Sequence, residues 1–400
     1  MKTTTHGGCG IKKGMDVLEY GYVSLNKKNE ELCGDKVEMI PSEDGGATLV
    51  LADGLGSGVK ANILSTLTSK ILCTMAAANV SLEECIDTVA GSLPVCKQRG
   101  VAYSTFSLLT VGADGNGYLA EFDNPPAILL RGGKWVPLER AERTYGGKKL
   151  YISKVKLERA DVVLLMSDGV VHAGVGETLN FGWDIKEIRE FAEIQYDPAL
   201  SARTMASIMA NACYELYGHR PGDDTTVLAV KYRAPLTVNM MIGPPSNAES
   251  DSLVVSEFMA HDGKKVVCGG TSSQVVAREL KTQVTTSFDY FDKDVPPIGY
   301  INGIDLTCEG VLTLKKLLVY AEKYVSVSDP DIKMFKGKDG ASLLANLLLI
   351  EASAVNLFVG RGVNLAHEGL GIDNKTKLDS VVKLLNILRG LNKSVEIKYY

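Results

Sequence analysis

The order of strand-like and helix-like segments is what most constrains the fold of this chain. In the first 233 residues, short strand patterns stand at both ends and in the middle, with two pairs of helical patterns between them. Strands that follow one another directly pair as antiparallel hairpins, whereas alternating strands and helices form parallel sheets. The order therefore predicts an α+β fold, a sandwich of antiparallel sheets flanked by helices.

The length of the chain predicts two domains. Its 400 residues exceed what a single hydrophobic core normally supports. Proline and glycine interrupt regular structure at Ala234-Pro235 and again over residues 243–247. We expect a first domain over residues 1–233 and a smaller α/β domain over residues 234–400.

The composition argues against several classes of protein. With 43 basic and 48 acidic residues the formal net charge is −5, which offers no electrostatic case for nucleic-acid binding. The longest apolar run, residues 341–359, carries polar breaks that a membrane span of about 20 residues would not tolerate, and the start shows no secretory leader. The eight cysteines contain no CxxC pair. We expect a cytoplasmic protein that binds neither nucleic acid nor membrane.

Acidic residues stand where strand patterns begin or end, and in three of four cases the strand pattern is uncharged. Hard divalent cations prefer oxygen ligands, and a glycine beside an aspartate lets its carbonyl oxygen approach the same ion. Carboxylates that converge from different strands can hold two ions about 3.5–4 Å apart. Four motifs have this placement: Gly34-Asp35, Asp53-Gly54, Asp168-Gly169 and Asp223-Asp224.

Asp-Gly is also the commonest turn dipeptide, so each motif has a plain structural interpretation. We interpret Asp44-Gly45 and Asp114-Gly115 as turns between hairpin strands. Asp53 and Asp168 differ from them because each terminates a long apolar strand pattern. Spacing alone leaves metal binding and a turn equally open at these two residues.

Taken in order, the motifs resemble those of the SpoIIE-type branch of the PPM/PP2C serine/threonine phosphatases. One Asp-Gly pair is weak, whereas the ordered set, which includes the ADGLGSG of residues 52–58, is specific. The resemblance extends over about residues 15 to 233. The segments that carry it are Gly34-Asp35, residues 51–58 with Lys60-Ala61, residues 166–170 and residues 223–226.

This resemblance implies a PP2C-like α-β-β-α sandwich with a pair of Mn²⁺ or Mg²⁺ ions at its edge. By carry-over, Asp53 would bridge both ions, the Gly54 carbonyl would bind one, and Asp35 would bind directly or through water. Asp168 and Asp223 would complete the other site. The family's last motif favours Asp223 over Asp224 as the ligand.

The implied activity is that of a protein phosphatase in bacterial regulation, with Asp35, Asp53 and Asp168 as catalytic residues. A water activated by the two metals would hydrolyse phosphoserine or phosphothreonine on a phosphoprotein. Small STAS-domain anti-anti-sigma proteins are the implied substrates. A latent or inactive scaffold regulated through the second domain is the alternative, and a phosphatase for a small metabolite is a third hypothesis.

Several residues keep two interpretations. Leu55 stands where many eukaryotic PP2C enzymes have histidine, and no phosphate-binding arginine lies near the N-terminus, where Lys12 and Lys13 are poor substitutes. Both absences are usual in the SpoIIE branch. His172 is either a general acid or, more commonly for a loop histidine, a surface or packing residue. Lys60 either lies near substrate or is a solvated helix residue.

Two further segments matter below. A helix is predicted over residues 59–78, with apolar residues on one face at helical spacing: Ile63, Leu67, Ile71, Leu72 and Met75. In the second domain, residues 266–273 combine a strand end, a glycine-rich turn and a helix start. Such a start either binds an anion or is an ordinary turn capped by serine. Regulation, homodimerisation and partner docking remain open roles for that domain.

Overall fold

The computed structural model describes residues 16–42, 45–92, 104–145, 148–286, 293–326, 337–362 and 374–400. The chain divides into two compact units, Met1–Ala234 and Pro235–Tyr400. Asp44 of the predicted turn, Lys12, Lys13, Cys9 and Cys96 lie outside the described residues.

Strands dominate the first unit. They are β1 (Val17–Leu25), β2 (Asp35–Pro41), β3 (Ala47–Gly54), β4 (Ser104–Val111), β5 (Asn116–Phe122), β6 (Ile128–Arg131), β7 (Lys134–Val136), β8 (Arg140–Tyr145), β9 (Lys148–Lys156), β10 (Val162–Met166) and β11 (Thr225–Arg233). They form two sheets, in the orders β1-β11-β10-β6-β7 and β2-β3-β4-β5-β9-β8. All their pairings are antiparallel, as the order of segments predicts.

The helices of the first unit cover the outer faces of the two sheets. They are α1 (Gly58–Ala77), α2 (Leu82–Ser92), α3 (Asp168–Val171), α4 (Ile185–Gln195) and α5 (Ala202–Leu216). Helices α1 and α2 pack on the sheet that contains β3, while α4 and α5 pack on the sheet that contains β11. Buried apolar side chains of the two sheets meet between them. This arrangement confirms the α-β-β-α sandwich.

Strand β3 shows why its sequence is apolar throughout. Side chains alternate between the two faces of a strand. Leu49 and Leu51 enter the core between the sheets, whereas Val50 and Ala52 pack beneath α1 and α2. Because both faces are covered, the strand has no position for a charge until Asp53, where it reaches the edge of the sandwich.

The predicted apolar face of α1 is only partly buried. Ile63 and Leu67 are 53% and 45% exposed, and small side chains take their place against the sheet. Close contact between helix and sheet requires small residues: a Cβ atom on Gly54 would lie 2.0 Å from the carbonyl oxygen of Ala61. Leu72 is buried and Ile71 and Met75 are half-buried. The small buried residues of α1 are Ala61, Ser65, Thr68, Ser69 and Ala76.

The second unit is an α/β domain, as expected. Its strands are β12 (Thr237–Ile242), β13 (Lys264–Cys268), β14 (Thr285–Thr286), β15 (Gly299–Tyr300), β16 (Leu306–Cys308), β17 (Ala354–Val359) and β18 (Ser394–Tyr399). Its helices are α6 (Asp251–Ala260), α7 (Gly270–Glu279), α8 (Val311–Ser326), α9 (Gly340–Ala345) and α10 (Asn374–Gly390), with a π-helical turn over Asn346–Glu351.

The sheet of the second unit has the order β14-β15-β16-β13-β12-β17-β18. The five strands from β16 to β18 in this order are parallel. Helices α6 and α7 cover one face, and α8, α9 and α10 cover the other. Parallel strands with helices on both faces are buried on both sides, which explains the runs of Val, Leu and Met in β12 and β17. Among the described residues, no helix is long and apolar enough to cross a membrane.

Candidate metal centre

Strand pairing brings the first two predicted carboxylates together. Asp35 is the first residue of β2, and Asp53 is the last residue but one of β3. Because the strands are antiparallel, the start of β2 lies beside the end of β3, and Asp35 pairs directly with Asp53. Residues 18 positions apart in the sequence therefore meet at one edge of the sandwich.

The other sheet supplies a second group of carboxylates at the same edge. Asp168 begins α3 immediately after β10, while Asp223 and Asp224 immediately precede β11. Strands β10 and β11 are antiparallel neighbours, so the end of one lies beside the start of the other. Asp168, His172 and Asp223 each present a ligand atom within 4.8 Å of the others.

Ser167 joins the two groups, and our sequence reasoning did not single it out. Its hydroxyl donates to Asp35 Oδ2 over 2.7 Å and accepts from the backbone N–H of Thr226 over 2.8 Å. Ser167 is fully buried. It therefore fixes the carboxylate of one sheet to the strand ends of the other. Its place immediately before Asp168 in the Met-Ser-Asp-Gly motif was the available signal.

Burial and mutual repulsion raise the pKa values of Asp35, Asp53 and Asp168. Burial, followed by the charges of Asp35 and Asp168, raises the pKa of Asp53 to about 10, and a hydrogen bond to Asp168 keeps the proton on Asp53. Burial also raises the pKa of Asp35 to about 7, against the lowering effect of the Ser167 and Thr226 hydrogen bonds. Burial and the charge of Asp223 raise the pKa of Asp168.

The residues present fit divalent cations. Asp35 Oδ1 and Asp224 Oδ2 are buried and have no hydrogen-bond partner among the residues that the structure describes, although buried polar atoms are normally satisfied. Both residues are 4% exposed. Unsatisfied carboxyl oxygens in a cluster of carboxyl groups with raised pKa values indicate a site deficient in positive charge. An oxygen-rich cluster of this kind suits Mg²⁺ or Mn²⁺.

The two neighbouring aspartates of the last motif have different surroundings. The Asp223 side chain is 35% exposed and belongs to the group with Asp168. Asp224 is buried, and its Oδ1 accepts from the backbone N–H of Lys27 over 3.0 Å. A Cβ on Gly34 would lie 2.7 Å from Asp224 Oδ2, so glycine leaves room for that carboxylate. The preference for Asp223 as ligand stays a prediction.

Lys27 is a second residue that our sequence reasoning missed. It lies between β1 and β2, and its ammonium is 3.4 Å from Asp223 Oδ1. Its side chain is 37% exposed, so the charge faces both the cluster and solvent. In a cluster of carboxylates, this position suits a cation that meets an incoming phosphate. The weak signal was a basic pair, Lys27-Lys28, upstream of Gly34-Asp35.

Three other predicted residues have defined positions. His172 Nδ1 is 4.0 Å from Asp168 Oδ2, one helical turn away, and its side chain is 55% exposed. Gly54 packs closely against α1, and this contact alone explains why the residue is a glycine. Lys60 is exposed on α1. The metal-binding role of the Gly54 carbonyl and the acid role of His172 remain predictions.

A comparison with known proteins finds a matching family model. Residues 43–233 match the family model described as Stage II sporulation protein E (SpoIIE). No curated protein matches the chain.

Similar solved structures include three bacterial regulators. The phosphatase domain of SpoIIE from Bacillus subtilis is 17% identical, with a TM-score of 0.44, over 55% of this chain and 93% of that one. The RsbU and RsbW domains of Rv1364c from Mycobacterium tuberculosis are 16% identical, with a TM-score of 0.45, over 62% and 70%. RsbX in complex with magnesium is 19% identical, with a TM-score of 0.38, over 54% and 95%.

The family match spans the segment in which β3, β10 and β11 place Asp53, Asp168 and Asp223 at one edge of the sandwich. The ordered Asp-Gly motifs of that segment and its antiparallel sandwich agree with the match. Over residues 43–233, the family match confirms the predicted resemblance to the SpoIIE-type branch of the PPM/PP2C phosphatases.

Proposed function

We propose that the first domain is a divalent-cation-dependent protein phosphatase that hydrolyses phosphoserine or phosphothreonine on a regulatory protein. One observation carries the proposal. Carboxylates from four separate segments meet at the sandwich edge, and Asp35 and Asp53 are held there with raised pKa values by burial and repulsion. Perturbed carboxyl groups that cluster in this way are typical of functional sites.

The proposed ligands are Asp35, Asp53, Asp168, Asp223 and the carbonyl of Gly54. Bound there, two Mn²⁺ or Mg²⁺ ions would activate a water molecule and offset charge on the phosphoryl group. The carboxyl groups would lose their protons as the ions bind, since ligands must be deprotonated. No side-chain nucleophile is required in this mechanism.

Residues around the carboxylates would orient the reactants. Ser167 holds Asp35 in one orientation through a 2.7 Å hydrogen bond. Lys27, beside Asp223, would attract the phosphate dianion and hold it against the cluster. His172, half-exposed and close to Asp168, is placed to donate a proton to the departing serine or threonine oxygen.

The substrate class follows from the resemblance of the motifs. SpoIIE-type enzymes typically act on small STAS-domain anti-anti-sigma proteins, so we propose a phosphorylated protein of that class. A role in bacterial regulation in the cytoplasm belongs to the same proposal. The second domain would then regulate the phosphatase or dock its partner.

The test is hydrolysis of p-nitrophenyl phosphate and of a phosphorylated STAS-domain protein by the full chain. Each is measured with Mn²⁺, with Mg²⁺ and with EDTA, for the native protein and for Asp53→Asn and Asp168→Asn. Asp114→Asn is the matched control. Asp114 lies in an Asp-Gly turn, where its carboxylate accepts a hydrogen bond from the backbone N–H of Asn116. We expect metal-dependent turnover in the native protein and the control and its loss in both site variants.

Two results would count against the proposal. Turnover that persists in EDTA, or full activity in both site variants, would exclude the acidic cluster as the centre of catalysis. Absence of turnover with either metal and both substrates would support the rival hypothesis, a latent or inactive scaffold.

A further inference from the structure

The second domain has a sheet edge suited to a ligand. In open α/β sheets, ligands bind outside the carboxyl ends of the parallel strands, near the point where the strand order reverses. Here the chain runs from β12 outward through β13 to β16, then returns to the other side of β12 as β17. The carboxyl ends of these four strands lie together at one edge.

A glycine directly follows β12, β13 and β17, and one comes a residue later, after Glu309, in the case of β16. Gly360 donates its N–H to the carbonyl of Ile242 over 2.9 Å. Gly269 donates to the carbonyl of Cys308 over 2.9 Å, and a Cβ on Gly310 would lie 3.3 Å from the Gly269 Cα. We call this row, Gly243, Gly269, Gly310 and Gly360, the glycine edge. These four residues carry no side chain, although Lys377 and the Pro244 carbonyl fill the space beside Gly243 and Gly360.

Helix α7 begins at the glycine edge without a cap. Its N-cap is Gly269, with φ of +117°, and no side chain accepts from the first turn. The N–H groups of residues 270–272 have no acceptor within the helix, and a Cβ on Gly270 would meet nothing within 4 Å. The helix dipole adds partial positive charge at this end.

At the start of each of two neighbouring helices, a nearby carboxylate caps the free N–H groups. The Glu309 carboxylate accepts from the N–H of Leu312 at the start of α8, and Asp339 accepts from Ala341 and Ser342 at the start of α9. No acidic residue lies in the first turn of α7. The first-turn N–H groups of α7 could therefore bind an external anion, whereas carboxylates of the chain already accept from those of α8 and α9.

Ser272 provides a second and independent observation. It is 1% exposed, and within the described part of the second unit its hydroxyl has no hydrogen-bond partner. The hydroxyl oxygen is 3.3 Å from the position of a Cβ on Gly269, so it is directed at the glycine turn. A buried hydroxyl left without a partner costs about 1–3 kcal/mol, and a ligand at the turn would remove that cost.

A buried cation lies on the other side of the glycine edge. Lys377 of α10 is 8% exposed, and its ammonium donates to the carbonyl of Gly360 over 2.7 Å. The same nitrogen is 2.7 Å from the position of a Cβ on Gly243. Within the described part of the chain, no carboxylate pairs with it. Burial lowers its pKa, as expected for a charge that lacks a counter-ion.

We propose that the glycine edge binds a phosphate group, carried either by inorganic phosphate or by a small phosphate ester. The first-turn N–H groups of α7 and the Ser272 hydroxyl would donate to it, and Lys377 would be its counter-ion. The open space beside Gly270 and the absent side chain of Gly269 would let the phosphate approach the first turn of α7 closely. This inference does not depend on the phosphatase activity proposed for the first domain.

The test is calorimetric titration of the full chain with inorganic phosphate and, separately, with ADP. EDTA is present throughout, so that no cation in the first domain contributes a phosphate site. Lys377→Met removes the counter-ion, with exposed Lys383→Met on the same helix as its control. Gly270→Asp places a carboxylate at the open helix start, with Gly270→Asn as the uncharged control.

We expect phosphate binding in the native protein and a loss of at least about tenfold in affinity for Lys377→Met and Gly270→Asp. Lys383→Met should bind as the native protein does, and Gly270→Asn should retain most of the affinity. Tighter binding of ADP than of phosphate would identify a phosphate ester as the ligand, and equal or weaker binding would identify free phosphate. The unfolding midpoint of each variant checks that it is folded.

Three outcomes would overturn the proposal. The first is no binding of phosphate or ADP up to about 10 mM, where any affinity is negligible. The second is unchanged affinity in both Lys377→Met and Gly270→Asp. The third is an equal loss of phosphate affinity in Gly270→Asp and Gly270→Asn, together with unchanged affinity in Lys377→Met. That result would mean that the side chain introduced at position 270 blocks the turn and that charge plays no part.

Discussion

The buried carboxyl group of Asp53 destabilises the folded first domain when no metal is bound. The end of β3 buries its carboxyl group beside Asp35 and Asp168, and the pKa of Asp53 rises to about 10. One unit of pKa corresponds to about 1.4 kcal/mol. Folding without metal must therefore protonate this group at neutral pH, which costs free energy that a bound cation would recover.

Asp53→Asn should change stability and activity in opposite directions. Without metal, the amide removes a carboxyl group that folding must protonate, so the free energy of unfolding at pH 7.5 should rise by at least about 1 kcal/mol. With Mn²⁺, phosphatase activity should fall by at least about 100-fold. Urea unfolding in EDTA and p-nitrophenyl phosphate hydrolysis measure the two effects. A variant that is less stable and fully active would contradict both expectations.

The metal-free protein should lose stability as the pH rises. Asp35 and Asp53 have folded pKa values of about 7 and about 10, above the ordinary 3.8. The folded state therefore binds more protons than the unfolded state between these limits, and its stability falls as pH increases through the folded values. Urea unfolding in EDTA at pH 5.5 and pH 8.5 measures this. Mn²⁺ should reduce the slope, and a rise in stability with pH would show that the sign is wrong.

Lys27→Met should weaken substrate binding more than it slows the chemical step. The ammonium lies beside Asp223 and is partly exposed, so it can meet a phosphate without being a metal ligand. We expect KM for the phosphoprotein to rise about tenfold, with kcat changed by less than about threefold. Lys28→Met, at the exposed neighbouring lysine, is the control. A large fall in kcat with unchanged KM would exclude this role.

Helix α1 carries leucines that are equally hydrophobic but differ in burial. Leu72 is fully buried beneath the helix, whereas Leu67 is 45% exposed. Leu72→Ala should therefore cost about 2–5 kcal/mol of unfolding free energy, and Leu67→Ala about 0.5 kcal/mol or less. Urea unfolding of the two variants provides a matched comparison on one helix. Equal costs would mean that the predicted apolar face, and not the observed one, is buried.

The strands and helices next to the Asp-Gly motifs were predictable because their local signals are strong. Strand β3 is an uncharged run that stops at Asp53, and β10 is an uncharged run that stops just before Asp168. The packing of α1 was not predictable, because hydrophobic periodicity ignores size and close approach to Gly54 selects Ala61. Periodicity identifies the helix but not the distance at which it packs.

Across the whole chain, long-range pairing limits what the sequence reveals. Nothing local shows that Ser167 binds Asp35, 132 residues away, because that contact depends on how the two sheets stack. Lys27 likewise approaches Asp223 through tertiary structure alone. In the second unit, the sequence predicted β13, β17 and β18, while β12, α6 and α8 were missed and the order of the sheet was not predicted.

The net charge of the whole molecule also depends on the proposed metals. The formal charge of −5 counts every carboxylate as ionised. In the metal-free protein, Asp53 keeps its proton at neutral pH, and in the metal-loaded protein the cations would offset several carboxylates. The effective charge is therefore less negative than the formal one in both states.

The central claim is that the acidic cluster is a two-metal centre, and Mn²⁺ binding tests it most directly. Calorimetric titration of the full chain, with Asp53→Asn and the turn control Asp114→Asn beside it, counts the bound ions. We predict two Mn²⁺ ions per chain in the native protein and in Asp114→Asn, and fewer ions with weaker affinity in Asp53→Asn. Unchanged number and affinity of ions in Asp53→Asn, or no binding by the native protein, would contradict the account.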